Sequence, residues 1–536
     1  MDGGRLGPWC IALIAGAGAV AAATPAVGQV QAQAVIAVVN GNDTGLGSYR
    51  AAINTANTNG DAEPDVIRFD PGLAVVLTSA DVAYTGTQPI TLEGNGSSID
   101  GSNANQILGA GSAAAVTVDA LTVRNGDAGI GGAINTAGNV TVTNSTFSGN
   151  HGDIGGAVNA AGNVAVTNST FSGNDADIGG AINNAGDVTM TNSTFSGNEG
   201  IVGGGVNNSG TATIGSSTFS TNQSVIGGAI NSSDDVTITQ STFTANKAPG
   251  GVGGAVAGHS RVSASNTLFA DNIAGAGGAI ATAASIATVT GALSVDSTPN
   301  EVRAGDVHLE GVVAPAQLDQ AIELTATTLS ADHATIGGGV AGGESISVNL
   351  GVVTINGAAE LSALNSTLTG NTADESGGSL AIPFGTVTLV YVTSSDNAAP
   401  AGAQLVADSL TAFGTALGPA QGGTNCQAGS TTTEGYNFST DASCGLTGVG
   451  DRQGAGDPML GALADNGGPT PTRLPLESSP LIDGVPIGAC QADGASGVTT
   501  DQRGVGRPQR AGCDIGAVEV EPPAPAPLVI TPTFAG

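Results

Sequence analysis

Phenylalanine recurs in this chain every 24 residues, at Phe147, Phe171, Phe195, Phe219 and Phe243, and Phe269 follows after 26. Three residues after each comes an asparagine: Asn150, Asn174, Asn198, Asn222, Asn246 and Asn272. Glycine pairs keep the same phase at Gly131-Gly132, Gly155-Gly156, Gly179-Gly180, Gly203-Gly204 and Gly227-Gly228. Three residue types in one register imply that each copy is one structural unit stacked on the next.

Within a copy the pattern is strand-like. Val140 and Val142 share one face, and Thr141 and Thr143 take the other. Phe147 is out of parity with the valines, so the chain must bend near Asn144-Ser145 for all three to point inward. Ile134, just after a glycine pair, marks another short strand. Strands this short cannot hide an apolar face alone. Stacking hides it, each strand pairing with its equivalent ~4.8 Å away in the next coil. Phenylalanines then pile up inside, and asparagines pass amide hydrogen bonds from coil to coil at a corner. Paired glycines allow positive φ there.

A leucine-rich horseshoe is the competing repeat, but no helical segment or leucine spacing accompanies it. The sequence therefore predicts an all-β chain: a right-handed parallel β-helix, a pectin-lyase-like solenoid. Composition agrees, since 3% aromatic residues and 86 glycines suit thin repeated layers better than one large core. Hydrophobic content of 40% is too high for a disordered chain. A net charge of −32, with Lys247 the only lysine, excludes a basic nucleic-acid footprint and favours at most loose attraction of Ca²⁺.

The pairing of Gly131-Gly132-Ala133-Ile134 with Phe147-Ser148-Gly149-Asn150 resembles the repeat of chlamydial-type polymorphic outer-membrane proteins. Degenerate copies are read at Leu329 to Asp332 before Gly337-Gly338, and at Leu368 to Asn371 before Gly377-Gly378. The repeats then span 111–415, interrupted near 285–325. The resemblance implies a bacterial cell-surface, outer-membrane or secreted location.

Residues 1–34 read as a signal peptide, with Arg5, an apolar run over 9–23 and Ala32-Gln33-Ala34 before Val35. Cys10 would leave with it. Residues 35–110 are expected to hold a cap and the first coils. Ser48 can cap a short helix whose Tyr49, Ala52, Ile53 and Ala56 share a face, and Asp65 to Phe69 reads as a first strand. An open solenoid end exposes strand edges, which such a helix would cover.

Residues 416–520 resemble the choice-of-anchor Q domain. They contain Asp465 to Thr472, Ser479 to Gly484, Thr500 to Gly504 and Cys513 to Glu519 in order. The resemblance implies a β-helix ending before a cell-surface anchor, with 521–536 as a Pro-rich tail. Cys426, Cys444, Cys490 and Cys513 are even in number and allow three pairings. Cys426–Cys444 and Cys490–Cys513 are favoured because each closes a short local loop.

Catalytic chemistry needs groups that converge. The repeat position after the asparagine recurs as His151, Asp175 and Glu199, with Asp153 and Asp177 two residues on. Carboxylates one coil apart approach the ~5 Å separation of a retaining glycosidase pair. Asp153, Asp175, Asp177 and Glu199 are also the Ca²⁺ candidates. A solvated corner where polar residues drift explains the same pattern. The interrupting stretch offers Asp296, Glu301, Arg303, Asp306 and His308 as catalytic candidates. His259, His308 and His333 lack metal-ligand spacing, and Asp374 to Gly378 falls where the repeat wants its glycine pair. The reading is a non-catalytic adhesin or stalk without a cofactor, its partner a glycan or protein on a host or neighbouring cell. The alternative is a polysaccharide lyase or glycoside hydrolase of the same fold.

Overall fold

The computed structural model describes residues 35–282 and 359–522, apart from 61–62, 112–113 and 492–494, with the backbone of four short strands between 322 and 355. Each 24-residue copy makes three strands. In one copy these are Ile134–Thr136, Val140–Thr143 and Thr146–Ser148. Each pairs in parallel with its equivalent in the next copy, Ile134 with Val158, Val140 with Val164 and Phe147 with Phe171. Ile134, Val142 and Phe147 are all fully buried. That inward convergence depends on a corner at Asn144, Asn168 and Asn192, where φ is 50°, 51° and 49°. Asparagine tolerates this left-handed backbone better than most residues. The bend expected at Asn144-Ser145 is present.

Two ladders hold the coils in register. Consecutive phenylalanine rings from Phe147 to Phe243 stack with centroids 4.8–4.9 Å apart and planes within 5° of one another. At the next corner Asn150 Nδ2 donates to Asn174 Oδ1 at 2.8 Å, and the chain of amides runs on through Asn198, Asn222, Asn246 and Asn272. Each amide from Asn174 to Asn272 also donates to a phenylalanine carbonyl of an earlier coil, as Asn174 Nδ2 does to Phe147 O at 3.1 Å, and Asn150 donates to Val123 O in the same way. The Asn174 oxygen takes the Asn150 backbone N–H as well. Buried amides satisfied on both ends cost little to bury and fix the register.

The two glycines of each pair are required for different reasons. The first has positive φ, 61° at Gly131 and 65° at Gly155. The second does not. A Cβ on Gly132 would stand 2.0 Å from His151 O, and one on Gly204 would stand 2.3 Å from Gly228 O. The next coil's backbone occupies that space. Positive φ therefore explains only half of the motif, because spacing alone does not reveal how closely two coils approach.

The ladder passes from Arg261–Ser265 straight to Glu360–Leu364, and from Leu268–Ala270 straight to Thr367–Thr369. Residues 283–358 are thus inserted between adjacent coils. The copy read at Leu329 to Asp332 is not a rung of the main ladder, since Leu329–Ala331 pairs with Val353–Ile355 instead. The copy at Leu368 to Asn371 is one. Leu368 sits against Phe269, and Asn371 Oδ1 accepts from Asn272 Nδ2 at 2.9 Å.

At the N-terminal end the helix Tyr49–Ala56 is capped by Ser48 Oγ, which accepts from Ala51 N–H, and it buries Tyr49, Ala52, Ile53 and Ala56. One strand precedes the expected first one, as Val35–Val38 pairs with Asp65–Phe69. Asp43 ties this cap together by accepting from Arg50 at 2.7 Å, Thr78 N–H at 3.0 Å and Ser79 at 2.6 Å. Burial alone would raise its carboxyl, but these bonds outweigh burial and hold it at about 2. At the other end the parallel ladder runs past 415 through Cys426–Gly435, Phe438–Ser439 and Arg452–Gln453. Residues 457–520 then fold back along the flank.

Candidate functional site: a charged corner and a C-terminal clasp

The residues that follow the asparagine ladder keep its phase. Asp127, His151, Asp175, Glu199, Gln223 and Lys247 are joined by successive parallel bridges, so their side chains form one column with one residue per coil. His151 Nδ1 lies 2.9 Å from Asp175 Oδ2, both side chains 55% exposed. Asp153, Asp177 and Glu199 are exposed along the same corner. Among the described residues, no three His, Cys, Asp or Glu side chains come together as a group that could hold a metal ion. His259 is tied to the preceding coil, with Nδ1 2.9 Å from Ser232 O. Asp296, Glu301, Arg303, Asp306, His308 and His333 lie outside the described residues.

A second charged feature sits where the ladder crosses the insertion. An open depression of about 490 Å³ is lined by Arg261, Ser263, Glu360, Ser362 and Thr388, among others. Arg261 and Glu360 pair across it at 2.9 Å, both more than half exposed. Its only two charges neutralise each other.

The most elaborate polar cluster is one that composition and repeat phase do not point to. Arg507 and Glu519 pair at 2.6 Å with side chains 0% and 1% exposed. Glu519 also accepts from the Asp514 backbone N–H at 2.7 Å. Arg507 donates to Gly516 O at 2.8 Å and Asn365 Oδ1 at 3.3 Å, and lies 4.0 Å above the Tyr391 ring. Tyr391 in turn donates to Cys490 O at 2.7 Å. Burial pushes the Glu519 carboxyl up to about 7, with the Arg507 charge pulling against it.

Nearby, Arg503 pairs with buried Asp501 at 2.9 Å, and Arg473 pairs with Asp396. Gln502 accepts from Thr367 Oγ1 at 2.7 Å and donates to Thr470 Oγ1 at 2.9 Å. Disulfides Cys426–Cys444 and Cys490–Cys513 match the favoured local pairing. The conspicuous C-terminal residues thus clamp the segment 457–520 against the coils. Tyr391 was the available signal: an aromatic residue at φ 51°, in the corner column that Asn365 occupies one coil earlier.

A family model described as the right-handed β-helix region matches residues 82–272. With the uninterrupted parallel ladders, that match decides the architecture. The chain is a right-handed parallel β-helix of about 12 turns. Among solved structures, this β-helix is similar to the crystal structure of pectate lyase Pel9A. The alignment has 12% identity, covers 90% of this chain and 96% of that one, and gives a TM-score of 0.31. A likeness at that level says nothing about activity. No curated protein matches the chain.

Proposed function

We propose that this chain is an exported bacterial cell-surface β-helix, acting as a non-catalytic adhesin or structural stalk. One observation carries the reading. Among the described repeats, the charged residues of the column from Asp127 to Lys247 are strung out one per coil along an exposed corner, while the buried in-phase Phe and Asn residues are used in stacking and amide relay. A retaining carboxylate pair needs one carboxyl desolvated so that it stays protonated. Asp175 is 55% exposed and faces a histidine. The resemblance of the repeats to polymorphic outer-membrane proteins, and of the C-terminal residues to a choice-of-anchor domain, supports a surface location. The partner is a glycan or protein on a host or neighbouring cell.

The test is a glycan panel that includes pectin and alginate, assayed with and without Ca²⁺ for unsaturated products and reducing ends. The full chain should release neither. Turnover that Asp306→Ala abolishes would overturn the reading and establish a lyase or hydrolase.

A further inference from the structure

One column of strands changes character along the fibre. In Leu268–Ala270, Thr367–Thr369 and Thr393–Ser395 every residue is buried, because the C-terminal segment covers their outer face. The five preceding strands of the same column are Thr146–Ser148, Thr170–Ser172, Thr194–Ser196, Thr218–Ser220 and Thr242–Thr244. They bury only the phenylalanine and leave both outer residues half-exposed. The covered interface thus continues as an open face of ten hydroxyls: six threonines and four serines. Unlike the neighbouring Ser145, Ser169 and Ser193, whose hydroxyls bond to backbone carbonyls of their own coils, these ten form no side-chain hydrogen bond among the described residues.

Three properties narrow what fits. The face is flat. Strands in a sheet ordinarily rotate by roughly 20–25° from one to the next, yet the phenylalanine rings directly beneath these hydroxyls tilt by only 2–5° per coil. It is also periodic in two directions. Coils repeat at 4.8–4.9 Å, as those rings do, and the two outer residues of a strand lie roughly 6.6 Å apart.

The third property is charge. None of the ten positions is ionisable in a chain of net charge −32. A neutral face that both donates and accepts suits an uncharged partner of mixed polarity. Arg124, in register beside Ser148 at the edge of the face, is already paired with Asp100 at 2.9 Å, and sugar rings find no exposed aromatic among the ten positions to stack on. Threonine adds a methyl beside each hydroxyl and is stiff at χ1, so the array is preordered. A twisted soluble partner gains nothing from such a lattice.

We propose that this face binds ice, its threonine and serine rows holding surface water in a repeat that the crystal continues. The full chain should then shape growing ice crystals and slow their recrystallisation. Thr194→Tyr, at the centre of the face, should abolish both effects while leaving circular dichroism and melting unchanged. Asp177→Tyr, of equal bulk on the charged corner, should retain them. Ordinary ice growth with the wild-type chain, or full activity in Thr194→Tyr, overturns the proposal. So does Thr194-dependent binding to crystalline cellulose or chitin without any effect on ice.

Discussion

Replacing Phe171 with alanine should destabilise the β-helix by about 3–5 kcal/mol, the range for emptying a phenylalanine site in a packed core. The structure argues for the upper part of that range. Phe171 is 0% exposed and stacks on Phe147 and Phe195, both at 4.9 Å, so its loss removes two ring contacts. Each such contact adds roughly 0.5–1.5 kcal/mol beyond buried area. Collapse of the site is opposed by the strands on either side, which are tied to their own neighbours through the Asn150, Asn174 and Asn198 amides. Thr141→Ala, on the outward face of Val140–Thr143, should stay within about 0.5 kcal/mol of the parent. Denaturant midpoints of both variants in the full chain decide the matter. Equal losses would mean that the phenylalanines do not form the inner stack and that the repeat phase is misread.

Gly204→Ala should cost about 3 kcal/mol or more, because its Cβ would sit 2.3 Å from Gly228 O and the next coil must move. Gly173→Ala, at φ 58° with nothing within 4 Å, should cost only the ~1–2 kcal/mol of a left-handed alanine, read from the same midpoints. Arg507→Leu leaves Glu519 buried and unpaired, which costs roughly 3–5 kcal/mol. The loss should appear as faster hydrogen exchange over 457–520, with the coils at 140–250 unchanged. The two ends should answer pH in opposite directions. Asp43, held at about 2, contributes stability above the ordinary aspartate range that is lost as pH falls through 2, so acid should loosen the N-terminal cap. Glu519, raised to about 7, contributes stability below the ordinary glutamate range that is lost as pH rises through 7. Proteolysis of the clasp should accordingly be slower near pH 5 than near pH 8.

The repeat made the coil legible because its three ladders each rest on one side-chain property. Phe147 stacks, Asn150 relays amide bonds, and Gly131 turns the chain; all three show in the sequence as fixed phase. The N-terminal helix was equally plain, since Ser48 as cap and Tyr49, Ala52, Ile53 and Ala56 as buried face are local facts. What escaped depends on distance between coils or on segments far apart in the chain. The need for Gly132 comes from His151 O above it. The exclusion of Leu329 from the main ladder depends on Leu268 finding Thr367 across 99 residues. The clasp needs Arg507 to meet Asn365; Asn365 keeps the phase of the Asn144 corner, but Arg507 lies outside the repeats and carries no phase signal. The charged corner runs one residue per coil, and exposure, which sequence does not give, separates a drifting surface from a buried pair.

Each 24-residue copy is an interchangeable spacer that adds one rung to the β-helix. Deleting residues 175–198 joins Asn174 to Glu199 and removes one whole coil. Spin labels at Thr117→Cys and Ser263→Cys stand in the same outward column, six rungs apart. Their separation should be roughly 29 Å in the parent and roughly 24 Å in the deletion, a difference of one ~4.8 Å rung. A cooperatively folded deletion with that shortening is the predicted result. An unfolded deletion, or a folded one with an unchanged distance, would contradict the stacked-coil account.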